Sequence, residues 1–193
     1  MGRRTAVSIL LAAIMIIGVA AILSIFSADS DGPKLSGHIN AFELAERPLR
    51  QPALSWADSD GNSIKLADFR GKIVLLNYWS SWCLPCRREL PGIDRLQARM
   101  AGDHFTAIAL NVDLGDTKAA RRVAQSLNLK HLSLNLDPKN ITVATLGLSV
   151  MPSSYLFDQK GRLLGAMEGE AEWDTPEAIK FIQYFIDRIN SAE

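Results

Sequence analysis

The 193-residue chain has only two cysteines and three histidines, and neither charge sign is in excess, because basic and acidic residues each number 21. Two cysteines are too few for a small fold held by several disulfides or for a four-thiolate zinc site. A formal charge of zero gives no basic surface for a nucleic acid, so no nucleic-acid partner is predicted. The hydrophobic share of 48% instead indicates a globular core.

One long apolar run stands at the N-terminus. No ionisable side chain occurs from Thr5 to Ala28, and a helix over residues 6–26 would span roughly 30 Å, the thickness of the hydrocarbon layer. Arg3 and Arg4 precede the run, which places the rest of the chain on the outer side of the membrane. Residues 1–28 are therefore predicted to be a membrane anchor, with a cleavable signal peptide as the alternative.

The remaining chain divides into a linker and one domain. Residues 29–52 are rich in proline and glycine and are predicted to be a linker, with a short helical stretch at residues 41–46. Residues 53–193 alternate apolar runs of strand type with segments of helical spacing, which predicts an α/β domain with a mixed central sheet. The predicted strands cover residues 73–79, 105–112 and 132–136, and two hairpins are predicted within residues 53–72 and 153–167. The predicted helices cover residues 83–100, 118–127 and 141–146. A last helix is predicted to begin at Asp174, Pro176 and Glu177.

The chemistry is expected at residues 82–86, which read Trp-Cys-Leu-Pro-Cys between a buried strand and a helix. Cysteines at positions i and i+3 lie on one helical face, close enough to form a disulfide. Cys83 stands at the start of the helix, where unpaired N–H groups and the positive end of the dipole stabilise a thiolate. Cys83 is therefore predicted to be the attacking thiol and Cys86 the resolving one.

Other uses of two cysteines fit the sequence less well. A zinc site needs two further ligands at suitable spacing, which the three histidines do not provide. A haem attachment site needs a histidine after the second cysteine, where Arg87 stands. A purely structural disulfide remains possible in an exported protein, but a loop this short gains little stability from it. No metal ligand and no cofactor other than the Cys83–Cys86 disulfide is predicted.

Residues 75–91 resemble the active-site segment of the membrane-anchored thioredoxin-like proteins of the TlpA/ResA/CcmG group. The segment 66–72 and the Met151-Pro152 pair fit the same family, and residues 169–173 favour its TlpA branch. The resemblance implies a thioredoxin-like fold with an extra strand and helix inserted between Asp113 and Pro152. It also implies a thiol-disulfide oxidoreductase anchored in a bacterial inner membrane by one helix, with the C-terminal domain in the periplasm.

Position by position, the resemblance implies further roles. Pro152 matches the family's cis-proline, beside which Val150 and Met151 would pair with a substrate backbone. Glu89 matches an acid that transfers a proton to or from the buried thiol; a solvated carboxylate paired with an arginine is the alternative. The residues expected to contact substrate around the two thiols are Trp82, Leu84 and Pro85.

The sequence departs from the pattern at two positions. Thioredoxin has a buried aspartate where this chain has Asn77, and an amide cannot take up a proton, so proton transfer would fall to Glu89 or water. Leu84 replaces the acid that ResA-like proteins carry between the cysteines, and without that negative neighbour the Cys83 thiolate is favoured.

The resemblance also implies partners. They are protein disulfides, either apocytochromes of the c type or proteins that assemble the copper site of cytochrome oxidase, with electrons supplied by a membrane donor of the DsbD/CcdA type. The alternative function is a copper(I) chaperone that uses the same two cysteines, with His131 as the one eligible histidine. A peroxidase fits least, because the Thr-x-x-Cys motif is absent.

Overall fold

The computed structural model describes residues 32–33, 35–115 and 117–190. The anchor or signal peptide predicted for residues 1–28 lies outside these ranges. Within them, none of the helices combines the length and the apolar character that a membrane crossing requires. From Leu35 onward the chain forms one compact unit.

Eight strands within the described ranges build one mixed sheet. They are β1 (Glu43–Leu49), β2 (Ser55–Asp58), β3 (Ser63–Lys65), β4 (Ile73–Trp79), β5 (Phe105–Asn111), β6 (Leu134–Leu136), β7 (Ser153–Phe157) and β8 (Leu163–Glu168). Their order is β1-β8-β7-β4-β5-β6-β2-β3. The central trio β4, β5 and β6 is parallel, and every other pair is antiparallel. The carboxyl ends of the parallel trio therefore meet at one edge of the sheet.

In the described part of the chain, four α-helices cover the sheet: α1 (Leu84–Met100), α2 (Lys118–Ser126), α3 (Ile141–Leu146) and α4 (Pro176–Asn190). All seven residues of β4 are buried, as a strand covered on both faces requires. Because side chains alternate along a strand, Leu75 and Trp79 share one face of β4. Leu75 belongs to the core under α1 and α4, and Trp79 packs with the first turns of α1. Leu76 and Tyr78 point into a second core that includes α3.

The prediction for residues 35–52 is wrong, because this segment belongs to the folded unit. Ile39 and Phe42 are buried in the main core, and β1, which replaces the predicted helix at residues 41–46, pairs with β8. β1 is an edge strand whose side chains are mostly exposed, and Pro48 lies within it. Such a strand is held by backbone hydrogen bonds, so its sequence shows no apolar alternation. Its partner strand carries Gly165, where a Cβ would collide with the carbonyl oxygen of Glu43.

The domain from Ala53 onward follows the prediction closely. α2, β6 and α3 form the inserted segment expected between Asp113 and Pro152. The start of α4 differs in one detail: Thr175, and not Asp174, caps the helix by accepting a hydrogen bond from the backbone N–H of Ala178 at 3.3 Å. Asp174 instead pairs with Arg95 of α1 at 2.7 Å.

Candidate active site

The two cysteines form a disulfide where β4 gives way to α1. Their Cα atoms are 5.3 Å apart, and Cys83 is the N-cap residue of α1. The Sγ atom of Cys83 accepts a hydrogen bond from the backbone N–H of Cys86 at 3.2 Å. A thiolate at this position would occupy the same hydrogen bond and face the positive end of the helix dipole. The local geometry therefore favours ionisation of Cys83 in the reduced protein.

Apolar side chains surround a nearly covered disulfide. Cys83 is 4% exposed and Cys86 is 0% exposed, so Cys83 is the slightly more accessible of the two. Trp82 and Leu84 beside them are 74% and 60% exposed. Pro85 lies in the first turn of α1, where the missing N–H costs no helical hydrogen bond. A partner that approaches Cys83 must meet the two exposed apolar side chains.

The segment that directly precedes β7 contains Val150, Met151 and Pro152, the three residues expected beside the cysteines. The Met151-Pro152 peptide bond is cis. Met151 is half-buried and packs on the cluster that contains both cysteines, whereas Val150 is 40% exposed. The carbonyl oxygen of Val150 already accepts a hydrogen bond from the Ser153 hydroxyl at 2.8 Å. The structure thus brings Met151 to the cluster around the cysteines, and Val150 and Pro152 adjoin it in the chain.

Glu89 is a buried acid one helical turn after Cys86. It is 4% exposed, which contradicts the alternative of a solvated carboxylate paired with an arginine. Its Oε1 atom accepts hydrogen bonds from Trp173 Nε1 at 2.8 Å and from the Ala171 backbone N–H at 3.2 Å. Burial raises the pKa of Glu89 to about 7, against the lowering effect of its hydrogen bonds. A group with this pKa both takes up and releases protons near neutral pH.

Asn77 connects Glu89 to the sheet. Its position on β4 is on the same face as Leu75 and Trp79, beneath α1. Its Nδ2 atom donates to Glu89 Oε2 at 3.1 Å and to Ser154 Oγ on β7 at 3.0 Å. The residue that occupies the thioredoxin aspartate position is therefore a direct partner of the buried acid.

An open cleft of about 480 Å³ lies over Glu89. It is lined by Arg88, Glu89, Gly92, Arg95, Glu170, Ala171, Glu172, Asp174 and Thr175. Two ion pairs cross it, Arg88 with Glu170 at 2.5 Å and Arg95 with Asp174 at 2.7 Å. The lining includes neither cysteine nor the exposed Trp82 and Leu84, so solvent reaches the vicinity of Glu89 by a separate path.

Two contributors to this site are absent from the sequence-based set. Trp173 donates to Glu89 from 84 positions away, and Asp113 accepts hydrogen bonds from the turn before Cys83. Asp113 carries a recognisable signal, because polar residues directly after parallel strands gather at one edge of the sheet. Nothing in the sequence indicates that Trp173 contacts Glu89, because this contact depends on how the loop between β8 and α4 crosses α1.

The ligands of the alternative copper site are not brought together. The backbone N–H of His131 contacts Asp94, which lies 11 residues, or roughly 16 Å, along α1 from Cys83. Across the described ranges, no group of three or more histidine, cysteine, aspartate or glutamate side chains is arranged to hold a metal ion.

Comparisons with known proteins agree with this geometry. Residues 42–165 match the AhpC/TSA family. The chain is 31% identical over 134 residues to the thiol-disulfide oxidoreductase ResA of Bacillus cereus, covering 69% of this chain and 76% of that protein. It is 35% identical over 112 residues to the thioredoxin-like protein YneN of Bacillus subtilis, covering 57% of this chain and 64% of that protein. A putative thiol:disulfide interchange protein DsbE from Chlorobium tepidum superposes with a TM-score of 0.65 at 28% identity, covering 75% of this chain and 99% of that one.

Proposed function

Because this chain belongs to the AhpC/TSA family and is a thiol-disulfide oxidoreductase with a thioredoxin-like fold, we propose that it is a periplasmic reductant of protein disulfides. The observation that carries the proposal is the Cys83–Cys86 disulfide at the start of α1, with the Cys86 N–H directed at Cys83 Sγ. This arrangement stabilises a thiolate on the residue nearer the surface and keeps the second sulfur within bonding reach.

The first step joins the protein to its partner. The thiolate of Cys83 attacks one sulfur of the partner's disulfide, and the partner's other sulfur leaves as a thiolate that takes a proton from water. Trp82 and Leu84 lie where the partner's apolar side chains would pack, and Met151 and Val150 lie where its backbone would run. The product is a mixed disulfide on Cys83.

The second step releases the reduced partner. The Cys86 thiol loses its proton to Glu89, and its thiolate attacks Cys83 Sγ. The bond between Cys83 and the partner breaks, and the partner's sulfur leaves as a thiolate that takes a proton from water. Two electrons have then passed from the protein to the partner, and the ring between Cys83 and Cys86 is closed. A pKa of about 7 suits Glu89 to accept this proton. The cleft over Glu89 lets the proton pass to solvent while a partner covers the cysteine face.

The proposed partners follow from the resemblance to membrane-anchored relatives. They are c-type apocytochromes, whose haem-attachment cysteines must be reduced, or proteins that assemble the copper site of cytochrome oxidase. The oxidised protein would regain electrons from a membrane thiol donor of the DsbD/CcdA type. Residues 1–28 would hold the domain at the outer face of the bacterial inner membrane.

The test uses an oxidised peptide that contains Cys-x-x-Cys-His, the motif of c-type haem attachment. Cys86→Ser should accumulate a mixed disulfide between Cys83 and this peptide, since attack is retained and ring closure is lost. Cys83→Ser, the matched control, should form none. The wild-type protein, reduced beforehand and used in excess, should release the peptide with both of its cysteines reduced.

Two results would contradict the proposal. One is the absence of an adduct in a folded Cys86→Ser protein. The other concerns the direction of electron transfer. Equilibration with a glutathione buffer should give the Cys83–Cys86 couple a reduction potential more negative than about −220 mV, as in reducing members of the fold. A potential near that of a strong oxidant, about −120 mV, would make the protein an oxidase instead.

A further inference from the structure

The turn from Ser80 to Cys83 carries the attacking sulfur, yet it belongs neither to β4 nor to α1. We infer that Asp113, at the carboxyl end of β5, is a positioning residue that holds this turn and, through it, Cys83. The inference rests on the proposed function, because it concerns the thiol that function uses.

The carboxylate of Asp113 contacts the turn at two consecutive residues. Its Oδ1 atom accepts hydrogen bonds from the hydroxyl of Ser80 and from the backbone N–H of Ser81, the latter at 3.0 Å. The Oδ2 atom lies 3.2 Å from the same Ser81 nitrogen. Ser80 is 0% exposed and Asp113 is 9% exposed, so water has little access to these bonds. Both donors are uncharged, and their arrangement around one carboxylate fixes the path of the backbone.

The same turn reaches Cys83 by one more bond. The backbone N–H of Cys83 donates to the carbonyl oxygen of Ser80 at 3.1 Å. Asp113 therefore acts on Cys83 through Ser80. The Ser80 hydroxyl donates to the Asp113 carboxylate, and the Ser80 carbonyl oxygen accepts from the Cys83 backbone N–H. No contact between Asp113 and a sulfur atom is needed.

Asp113 is itself tied to the end of β4. Its backbone N–H donates to Asn111 Oδ1 at 3.1 Å, and Asn111 Nδ2 donates to the carbonyl oxygen of Trp79 at 3.5 Å. The backbone N–H of Val112 donates to that same carbonyl oxygen at 3.0 Å. The carboxylate is thus attached to the carboxyl ends of β4 and β5, two buried neighbouring strands of the sheet.

These bonds matter most once the disulfide is open. In the oxidised protein the Cys83–Cys86 bond itself fixes the turn to α1. In the reduced protein and in the mixed disulfide that bond is absent, and the Asp113–Ser80 contact then adds to the capping bonds of α1 in keeping Cys83 within reach of Cys86. Its loss lowers the effective concentration of one sulfur at the other and slows ring closure.

The experiment measures ring closure with Ellman's reagent and the reduced protein. Cys83 attacks the reagent and releases one thionitrobenzoate; Cys86 then attacks Cys83 and releases a second one. The reagent concentration is set high enough that the first release is complete before the second. Ser80→Ala and Asp113→Ala should each slow the second phase about three- to tenfold. The double variant should be no slower than Asp113→Ala, because both changes remove one shared contact.

Two controls separate positioning from charge and from general stability. Asp113→Asn removes the charge but keeps one acceptor oxygen, so its rate should lie between those of wild type and Asp113→Ala. Asp94 is another buried carboxylate, bound to the backbone N–H groups of Lys130, His131 and Leu132. Asp94→Ala should lower the melting temperature and leave the second phase at the wild-type rate.

A wild-type second phase in Ser80→Ala, or additive effects of Ser80→Ala and Asp113→Ala, would overturn the inference. Equal slowing in Asp94→Ala would do the same, because it would reduce the effect to lost stability. Failure of the proposed function has a different signature: the first phase of the wild-type protein would then be no faster than that of free cysteine.

Discussion

The replacement of Glu89 by glutamine tests the buried acid directly. The pKa of Glu89 is about 7 in the folded protein, against an ordinary value of 4.5. Between pH 4.5 and pH 7, Glu89 is therefore protonated in the folded state and ionised in the unfolded state. The contribution of Glu89 to the free energy of unfolding is complete below pH 4.5 and is lost as pH rises through 7. At 1.36 kcal/mol per pKa unit, the loss amounts to about 3 kcal/mol.

Glutamine suits this test because it fits the same hydrogen bonds. Its oxygen can accept from Trp173 and Ala171, as Glu89 Oε1 does. Its amide nitrogen can donate to Asn77 Oδ1 after the side-chain amide of Asn77 flips, which exchanges its oxygen and nitrogen. In the described part of the chain, Asn77 Oδ1 has no other hydrogen-bond partner. Glu89→Gln therefore resembles the protonated wild-type residue at every pH.

The assay is urea unfolding of both oxidised proteins from pH 4 to pH 8. The two free energies of unfolding should agree near pH 4 and diverge as pH rises, until Glu89→Gln is more stable by about 3 kcal/mol at pH 8. Groups common to both proteins cancel in the difference. Parallel curves across the whole range would refute the conclusion that burial holds a proton on Glu89.

Two further predictions concern the acid's partner and the edge strand. Asn77→Asp places a second carboxyl group at the 3.1 Å contact with Glu89. Two neighbouring carboxylates repel each other, so the pair should hold one proton more tightly than Glu89 alone. The pH midpoint of ring closure should therefore move above 7. Asn135→Asp, a like change at a buried asparagine that accepts from Trp56, should leave that midpoint unchanged. Gly165→Ala should lower the free energy of unfolding by about 1–3 kcal/mol and expose the amides of β1 to hydrogen exchange, because a Cβ would collide with Glu43 and with the ring of Phe42. Gly102→Ala, where a Cβ has no atom of the described structure within 4 Å, is its control, and intact β1 protection in Gly165→Ala would contradict the assignment.

Burial of the acid shows why part of the site could not be predicted. Spacing placed Glu89 one turn after Cys86, but that spacing is equally compatible with an exposed face of α1. Trp173 and Ala171 decide between the two cases by covering the carboxylate, and both come from a loop more than 80 positions away. The N-cap of α4 is a similar case. Asp174 forms an ion pair with Arg95, and Thr175 accepts the capping hydrogen bond instead.

The N-terminal boundary of the domain was misplaced for a related reason. Residues 43–49 carry charge, a proline and no apolar alternation, which is typical of a linker. They are nevertheless a strand, because an edge strand takes its order from the backbone of its neighbour. Ile39 and Phe42, both buried just before it, are isolated apolar residues whose burial depends on α4 and β8.

What the sequence determined by itself is the chemistry of the cysteine pair, the alternation of buried strands and helices, and the proline that precedes β7. These follow from short-range relations: two sulfurs three positions apart, a cysteine at a helix start, and side chains that repeat every two or every 3.6 residues. The tertiary structure alone decided that Glu89 is buried and that Asp113 reaches the turn before Cys83. Glu89 meets a loop more than 80 positions away, and Asp113 meets a turn 32 to 33 positions away. The periodicity of a helix or strand does not report which side chains touch across such separations.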